Sequence, residues 1–538
     1  MIDIQISISS QDTFIKLLET VKSIEIASHY FPPGHVRIFL NISSQASQTT
    51  TLLKECMRNY ITNNLEKFTI LNNEIELELG NQQLDVHSKQ DQDSRQDDFI
   101  LYLKAGTVIL KDSLKEMFMH ARIFPTRDLI QGEILIDPRV MEITNVQTET
   151  QDYIYEWNQI EKLELEEEEE YLENDLSFWK FIGCCCFHLY KWMKNLYCYI
   201  QFIPFKNPLY AAQAFEYKIK HIFSKCFESA IRVNKTGLQG GGREKKRGGD
   251  EGDNFIFMKK NSRTNWMHYE FLPSALAVHG PQKTIADLVL HRKNILTRTW
   301  MHSLNTIFKR NKENKNKEEN KRNIFLILHH ISILLGSIFS IPFFGIVLKF
   351  FTNIYVYYIY LFLLILTAVL ALFKDPRTIL KPLQVYTVLF GILAYTIYIY
   401  VILLIVFTYE INSISVLFYS FVGVFLCIQF IFGSTLYILL TLPSFLFYFP
   451  TYVHMFTFFS VLNTTDQDKK RAMWLFVNAV IYFVCTQFAD YTLNLLLYIY
   501  IGIVSYHILG IVFFKIQQFS NWIKTIRYLC THSHPLLL

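Results

Sequence analysis

The chain has few of the signatures that would classify it quickly. Its 538 residues hold nine cysteines, three of them consecutive (Cys184 to Cys186), with no zinc-type spacing. Neither a zinc module nor a disulfide framework is expected from that pattern. The first residues, MIDIQISISSQ, lack the basic start and apolar core of a secretory leader. The soluble half is therefore expected to stay in the cytosol. A large charge excess is also missing: the net charge of +4 is small and carries little information on its own, and no nucleic-acid partner is expected. The glycine-rich stretch NKTGLQGGGREKKRGGDEGDN has no P-loop spacing. Residues 234–264 read as a mobile loop rather than a phosphate cradle.

What is present is unevenly distributed. Hydrophobic residues make up 51% of the chain, and from about Asn323 onward they form long apolar runs. A soluble domain followed by a membrane domain is expected. In the soluble part, IDIQISIS alternates as a half-buried strand does, and TFIKLLETVKSI has helical spacing. VRIFLNIS, TTLLKECMRNYI, FILYL and DSLKEMFMHARI repeat that strand–helix order. Such alternation predicts an α/β domain with a mostly parallel sheet, whose ligands sit at the carboxyl ends of the strands. The turn Lys104, Ala105, Gly106, Thr107 falls at one of those ends, and no acid stands there.

Residues 138–205 interrupt the pattern as an insertion. They carry the acidic run EKLELEEEEEYLEND, which reads as a solvated helix face. They also carry the aromatic stretch FWKFIGCCCFHLYKWMKNLYCYIQF, which suits a membrane surface and offers its cysteine triplet for palmitoylation. A basic hinge at 309–322 precedes the membrane domain, 323–515, and a cytosolic tail is expected over 516–538. Six spans are predicted, near 324–350, 354–373, 383–408, 414–440, 474–489 and 493–514. The segment 443–462, with Pro450 inside it, is expected to be interfacial or re-entrant. Six spans place the basic loops, the hinge and the N-terminal domain on one side, as the positive-inside rule requires.

Several of these segments, in order, resemble the fungal-type chitin synthases, a family of processive membrane glycosyltransferases. NPLYAAQAFEYKIKHIFSKCFESAI is similar to the family's FEY segment, with Leu238, Gln239 and Gly240 at its LPG motif. GTVILKDSLKEMFMHAR looks like the segment after DAD, and LIQGEILI like the GxCGE strand. NWMHYEFLPSALAVHGPQKTIADLVLHRKNI resembles the approach to QRRRW. ALFKDPRTILKPLQVYTVLFGI resembles the region around GNRP, and SFLFYFPTYVHMFTFFSVLNTTD the LLPTY segment.

The resemblance implies a GT-A-like cytosolic catalytic domain followed by a helical multi-pass membrane domain. It also implies a divalent metal (Mg or Mn), UDP-N-acetylglucosamine as donor and a growing β-1,4 chitin chain that leaves through the lipid bilayer. Plasma membrane or secretory vesicles are the implied locations. Transferred position by position, Asp253 stands at the catalytic acid of AEDR, and Asp12 at the acid of the first, uridine-binding loop. Gly240 belongs to the altered LPG, and His291, Arg292 and Lys293 occupy the start of QRRRW, where they could bind pyrophosphate or sugar. The family's DAD falls on Lys104, Ala105 and Gly106, so metal ligands are not found there. Lys104 could neutralise pyrophosphate as a point charge in place of the metal. Ile295 replaces the tryptophan of QRRRW, and QDKKRA stands where the family has SWGTKG.

Three readings follow. The first is an active synthase, alone or as a homo-oligomer. The second is an inactive paralogue in complex with an active synthase. The third is an unrelated multipass transporter, for which the spans offer few ionisable residues.

Overall fold

The computed structural model describes residues 2–8, 14–28, 30–31, 36–42, 99–125, 127, 129–137, 207–230, 255–259, 269–308, 327–336, 354–371, 376–407, 435–462 and 489–531, with single positions at 345, 349 and 480. The chain divides into two compact units. The first comprises 1–197, 217–281 and 510–538; the second comprises 198–216 and 282–509.

The first unit is built on a seven-stranded sheet of β1 (Ile2–Ile8), β2 (Val36–Ile42), β3 (Phe99–Lys104), β4 (Thr107–Ile109), β5 (Leu129–Ile136), β6 (Ile256–Lys259) and β7 (Tyr269–His279). Their order is β2-β1-β3-β6-β5-β7-β4. β1 pairs parallel with β2 and β3, and β5 parallel with β7. β6 runs antiparallel between β3 and β5, and β4 antiparallel at the edge of β7. The sheet is thus mixed, with the two shortest strands reversed. In IDIQISI the alternating Ile2, Ile4 and Ile6 are buried, and so is Asp3 between them, so β1 is covered on both faces at its start. Two helices follow the expected segments: α1 (Phe14–Ala27) after β1, and α2 (Ser113–Ile123) after β4.

β7 carries an irregularity opposite Gly132. Gly132 pairs with Leu272 and Glu133 with Leu276, so Pro273, Ser274 and Ala275 bulge out of register. The Ser113 hydroxyl closes the bulge, donating to the Leu276 carbonyl and accepting from its N–H, both at 2.8 Å. Gly132 is required at this crossing, because a Cβ there would lie 2.3 Å from the Phe255 ring and 2.5 Å from the Ala275 carbonyl.

The helical run after the insertion comprises α3 (Pro208–Lys220), a π-helical turn (His221–Lys225) and α4 (Cys226–Ala230). Its part from Tyr217 onward belongs to the sheet unit. There Ser229 accepts the Phe271 N–H at 3.1 Å, tying the run to β7.

The second unit is helical: α5 (Ile285–Phe308), α6 (Ile327–Gly336), α7 (Ile354–Ala371), α8 (Leu380–Phe407), α9 (Thr435–Pro450) and α10 (Phe456–Leu462). Its buried core includes Tyr360, Tyr386, Phe390, Phe456 and Phe459. The His454 ring stacks on Phe390 at 5.2 Å and meets Tyr360 at 5.6 Å. α5 starts with a reciprocal cap. The Thr284 hydroxyl accepts the Asp287 N–H at 3.1 Å and donates to Asp287 Oδ2 at 2.7 Å. Asp287 also receives Arg377 from the 3₁₀ turn Pro376–Ile379, through Nε at 3.0 Å and Nη2 at 2.7 Å.

Four helical segments among the described residues are long and apolar enough to cross a membrane: 354–371, 376–400, 438–460 and 501–525. The chain is thus suited to a membrane by composition and helix length. Of the six expected spans, 414–440 and 474–489 lie largely outside the described residues, and 324–350 lies more than half outside them. The segment expected to be interfacial or re-entrant is helical, from α9 through a π-helical turn at Thr451–Met455 into α10, and 438–460 is long and apolar enough to cross a membrane. The π turn opens directly after Pro450, and the Tyr395 hydroxyl donates to the Pro443 carbonyl. The last helix, α11 (Ala489–Thr531), continues past residue 515, where the membrane domain was expected to end.

Candidate functional site

The strand end after β3 is the natural starting point, since ligands on α/β sheets gather at such ends. Here the turn is built into the domain. Ala105, Gly106 and Thr107 are buried. The Gly106 N–H is shared between the Lys16 carbonyl (3.1 Å) and the Thr20 hydroxyl (2.9 Å) of α1. The Gly106 carbonyl lies 3.1 Å from His279 Nδ1 at the end of β7. Gly106 has φ +83, a left-handed value that glycine adopts without strain, and Lys16 methylenes lie over it. Lys104 is half-buried at the last position of β3.

None of residues 104–106 offers a metal ligand of the carboxylate, imidazole or thiolate type. No group of three His, Cys, Asp or Glu residues among those described could hold a metal ion. The implied divalent metal does not fit this turn, and no chemical step is routed through one.

The sheet unit does contain buried carboxylates, and sequence reasoning had not singled them out. Glu133 on β5 receives Lys218 Nζ at 2.6 Å, with His221 Nδ1 at 3.9 Å. Burial alone would raise its pKa. The Lys218 charge, with help from His221, overrides that and holds the carboxyl down at about 2. Glu270 on β7 receives Arg127 Nε at 2.7 Å, His120 Nε2 at 3.1 Å and the Asn521 amide at 2.6 Å. Its carboxyl is also held low, again against the effect of burial, by His120 and Arg127. Both groups are ionised and saturated with donors at neutral pH, so neither is poised as a general base. Glu19 on α1 is the contrast. Burial pushes its carboxyl up to about 8, a rise that the Lys16 charge only moderates. A sequence signal did exist for Glu133: it is a lone acid inside the apolar strand LIQGEILI.

In the helical unit, the basic trio lies along α5. Arg292 is buried, its Nη2 2.7 Å from Glu216 Oε2 on α3. His291 and Lys293 flank it, half-buried. Gln213 on the same α3 face bridges the approach to α5, accepting from Gln282 N at 2.8 Å and donating to Gln282 O at 3.1 Å. Phe215 stacks on Phe445 at 4.4 Å. Gln213, Phe215 and Glu216 of the FEY segment therefore each have a packing or pairing role in this unit.

Lys104 thus belongs to the sheet unit and His291, Arg292 and Lys293 to the helical unit. Asp12, Gly240 and Asp253 lie outside the described residues. A scan against protein-family models and a search of curated proteins found no match to this chain.

Proposed function

We propose that the chain is a chitin-synthase-like membrane glycosyltransferase. In this reading it takes N-acetylglucosamine from UDP-N-acetylglucosamine, adds it to a growing β-1,4 chitin chain and passes the polymer through the bilayer. The sheet unit is then a GT-A-like domain on the cytosolic side, in the plasma membrane or a secretory vesicle. One observation carries the reading. Segments that resemble separate motifs of that family bond to one another within the sheet unit: Ser113 of KDSL with Leu276 of LPSAL, Lys218 of FEYK with Glu133 of QGE, and Ser229 of the same run with Phe271. These pairings connect positions up to 163 residues apart.

Chemically, transfer needs a neutralised pyrophosphate, a base for the acceptor hydroxyl and a positioned acceptor. On this reading Lys104 supplies the charge, as an ammonium at the strand end. Asp253 is the base, and His291 and Lys293, beside the paired Arg292, contact the diphosphate or the polymer. The test is incorporation of labelled N-acetylglucosamine into chitinase-sensitive polymer by the purified protein in vesicles. Incorporation that survives EDTA and is lost in Lys104→Met is expected. Absence of both polymer and UDP-N-acetylglucosamine binding would overturn the reading.

A second reading has its own observation. The turn at 104–106 is acid-free and its Gly106 N–H is taken up by α1, which favours a non-catalytic subunit of an active synthase. Polymer formation only after an active synthase is added, unaffected by Asp253→Asn in this chain, is the result it expects.

A further inference from the structure

The final helix has two committed faces from Gly510 onward. In this part it belongs to the sheet unit. Ile511, Phe514 and Asn521 are buried there. The Asn521 amide donates to Glu270 at 2.6 Å, and the Phe514 ring lies 6.1 Å from Phe271. The opposite face carries Val512, Ile516, Phe519 and Ile523, which are 49, 59, 63 and 42% exposed. At about 100° per residue, these four fall within a stripe roughly 60° wide. Trp522, 59% exposed, stacks on Phe519 with centroids 5.9 Å apart. Lys524, exposed, lies on one side of the stripe, and Lys515, on the other, is half-buried with its charge near Cys226 and Lys218 of the sheet unit.

By length and composition, 501–525 qualifies as a span. Its contacts argue against a crossing at this point. Asn521 bonds a carboxylate that also receives Arg127 and His120, and a charged cluster of that kind is costly in hydrocarbon. A lipid-embedded helix is apolar all round, whereas this one turns Ile511, Phe514 and the carboxylate-bonded Asn521 to its own domain and an apolar stripe to the outside.

We propose that residues 510–525 lie in the plane of the membrane–water interface. The stripe of Val512, Ile516, Phe519 and Ile523 enters the boundary between headgroups and acyl chains, and the exposed Lys524 reaches anionic headgroups beside it. The occupant of the apolar face is the phospholipid bilayer. The same helix is apolar upstream, with Leu495 and Tyr498 exposed. Three further helical segments suit a bilayer by length and composition, and the exposed Lys524 complements acidic lipid. The proposal depends on the membrane character of the chain and not on the glycosyltransferase reading.

The full chain in phosphatidylcholine–phosphatidylserine vesicles is photolabelled with two phospholipids, one with a diazirine near the glycerol and one with it at the acyl terminus. Labelled peptides are then mapped by mass spectrometry. The shallow probe is expected on Val512, Ile516, Phe519 and Ile523, with the deep probe absent from them. Phe519→Glu is expected to cut shallow labelling of this peptide by roughly tenfold, the scale of one buried aromatic side chain. Amide exchange across β7 should be unchanged in that variant; if it is not, Ile516→Ser is read in its place. Deep labelling centred on 513–516 would mean a span and overturn the proposal. Labelling by neither probe would mean that protein covers the face, and would overturn it equally.

Discussion

Glu133→Gln tests the most heavily invested contact in the sheet unit. The substitution keeps the shape and removes the charge that Lys218 faces at 2.6 Å. A carboxyl held at about 2 instead of 4.5 corresponds to roughly 3 kcal/mol of stability at neutral pH. Breaking a buried pair by deleting one partner independently suggests about 3–5 kcal/mol. For a unit of this size, that is a fall of about 6–12 °C in the unfolding midpoint. The assay is thermal unfolding of the detergent-solubilised chain, followed by loss of the monodisperse peak on size exclusion. Lys218→Met alone should cost a similar amount, because it leaves Glu133 buried and unpaired. The double variant Glu133→Leu/Lys218→Met should recover most of the loss, since no charge remains uncompensated. The pH dependence has a definite sign. A depressed carboxyl contributes fully above pH 4.5 and loses its contribution as pH falls towards 2, so wild type and Glu133→Gln should converge across that window. Additive single-variant effects, or a gap unchanged by acid, would refute the pairing as the source of stability.

Gly132→Ala should destabilise the same unit by about 1–3 kcal/mol, because the Ala275 carbonyl 2.5 Å from the new methyl is backbone and cannot swing away; an unchanged midpoint would contradict the tight crossing. Glu19→Gln should gain stability over wild type as pH rises from 4.5 through 8. Folding holds the Glu19 proton up to about 8 while the unfolded chain releases it near 4.5, so wild type weakens in that interval and the variant does not. Parallel pH profiles would sink this prediction. Thr284→Ala removes the hydroxyl of the α5 cap and should cost about 1 kcal/mol, read as faster amide exchange in the first turn of α5. Equal exchange rates would show the cap to be idle.

Much of the sheet unit was legible because its signals are local. Alternation in IDIQISI and the helical spacing of DSLKEMFMHARI each depend on neighbours a few residues away. The pairings that set the topology are not local. β6 is only four residues long, Ile256–Lys259, yet it separates β3 from β5, and nothing in IFMK announces a central position. Lys218 finds Glu133 across 85 positions and Asn521 finds Glu270 across 251, distances over which periodicity carries no information. At 443–462 the helix runs through Pro443 and Pro450, with a π turn directly after the second, although proline usually ends a helix. At the candidate site, the missing acids at 104–106 could be read directly. The closure of that turn by Lys16 and Thr20 could not, because the two segments meet only when α1 folds back along the sheet.

The π turn at His221–Lys225 also has a consequence for chain length. A π turn contains one residue more than the α-helix it interrupts and absorbs it in a wider turn, so the helix after it keeps its facing. Deleting a single residue from HIFSK would therefore restore a regular helix and leave Ser229 on the Phe271 N–H and Phe227 in the core. A second deletion has no such reserve and would rotate Cys226–Ala230 by about 100°. This short stretch should thus tolerate the loss of one residue and not of two.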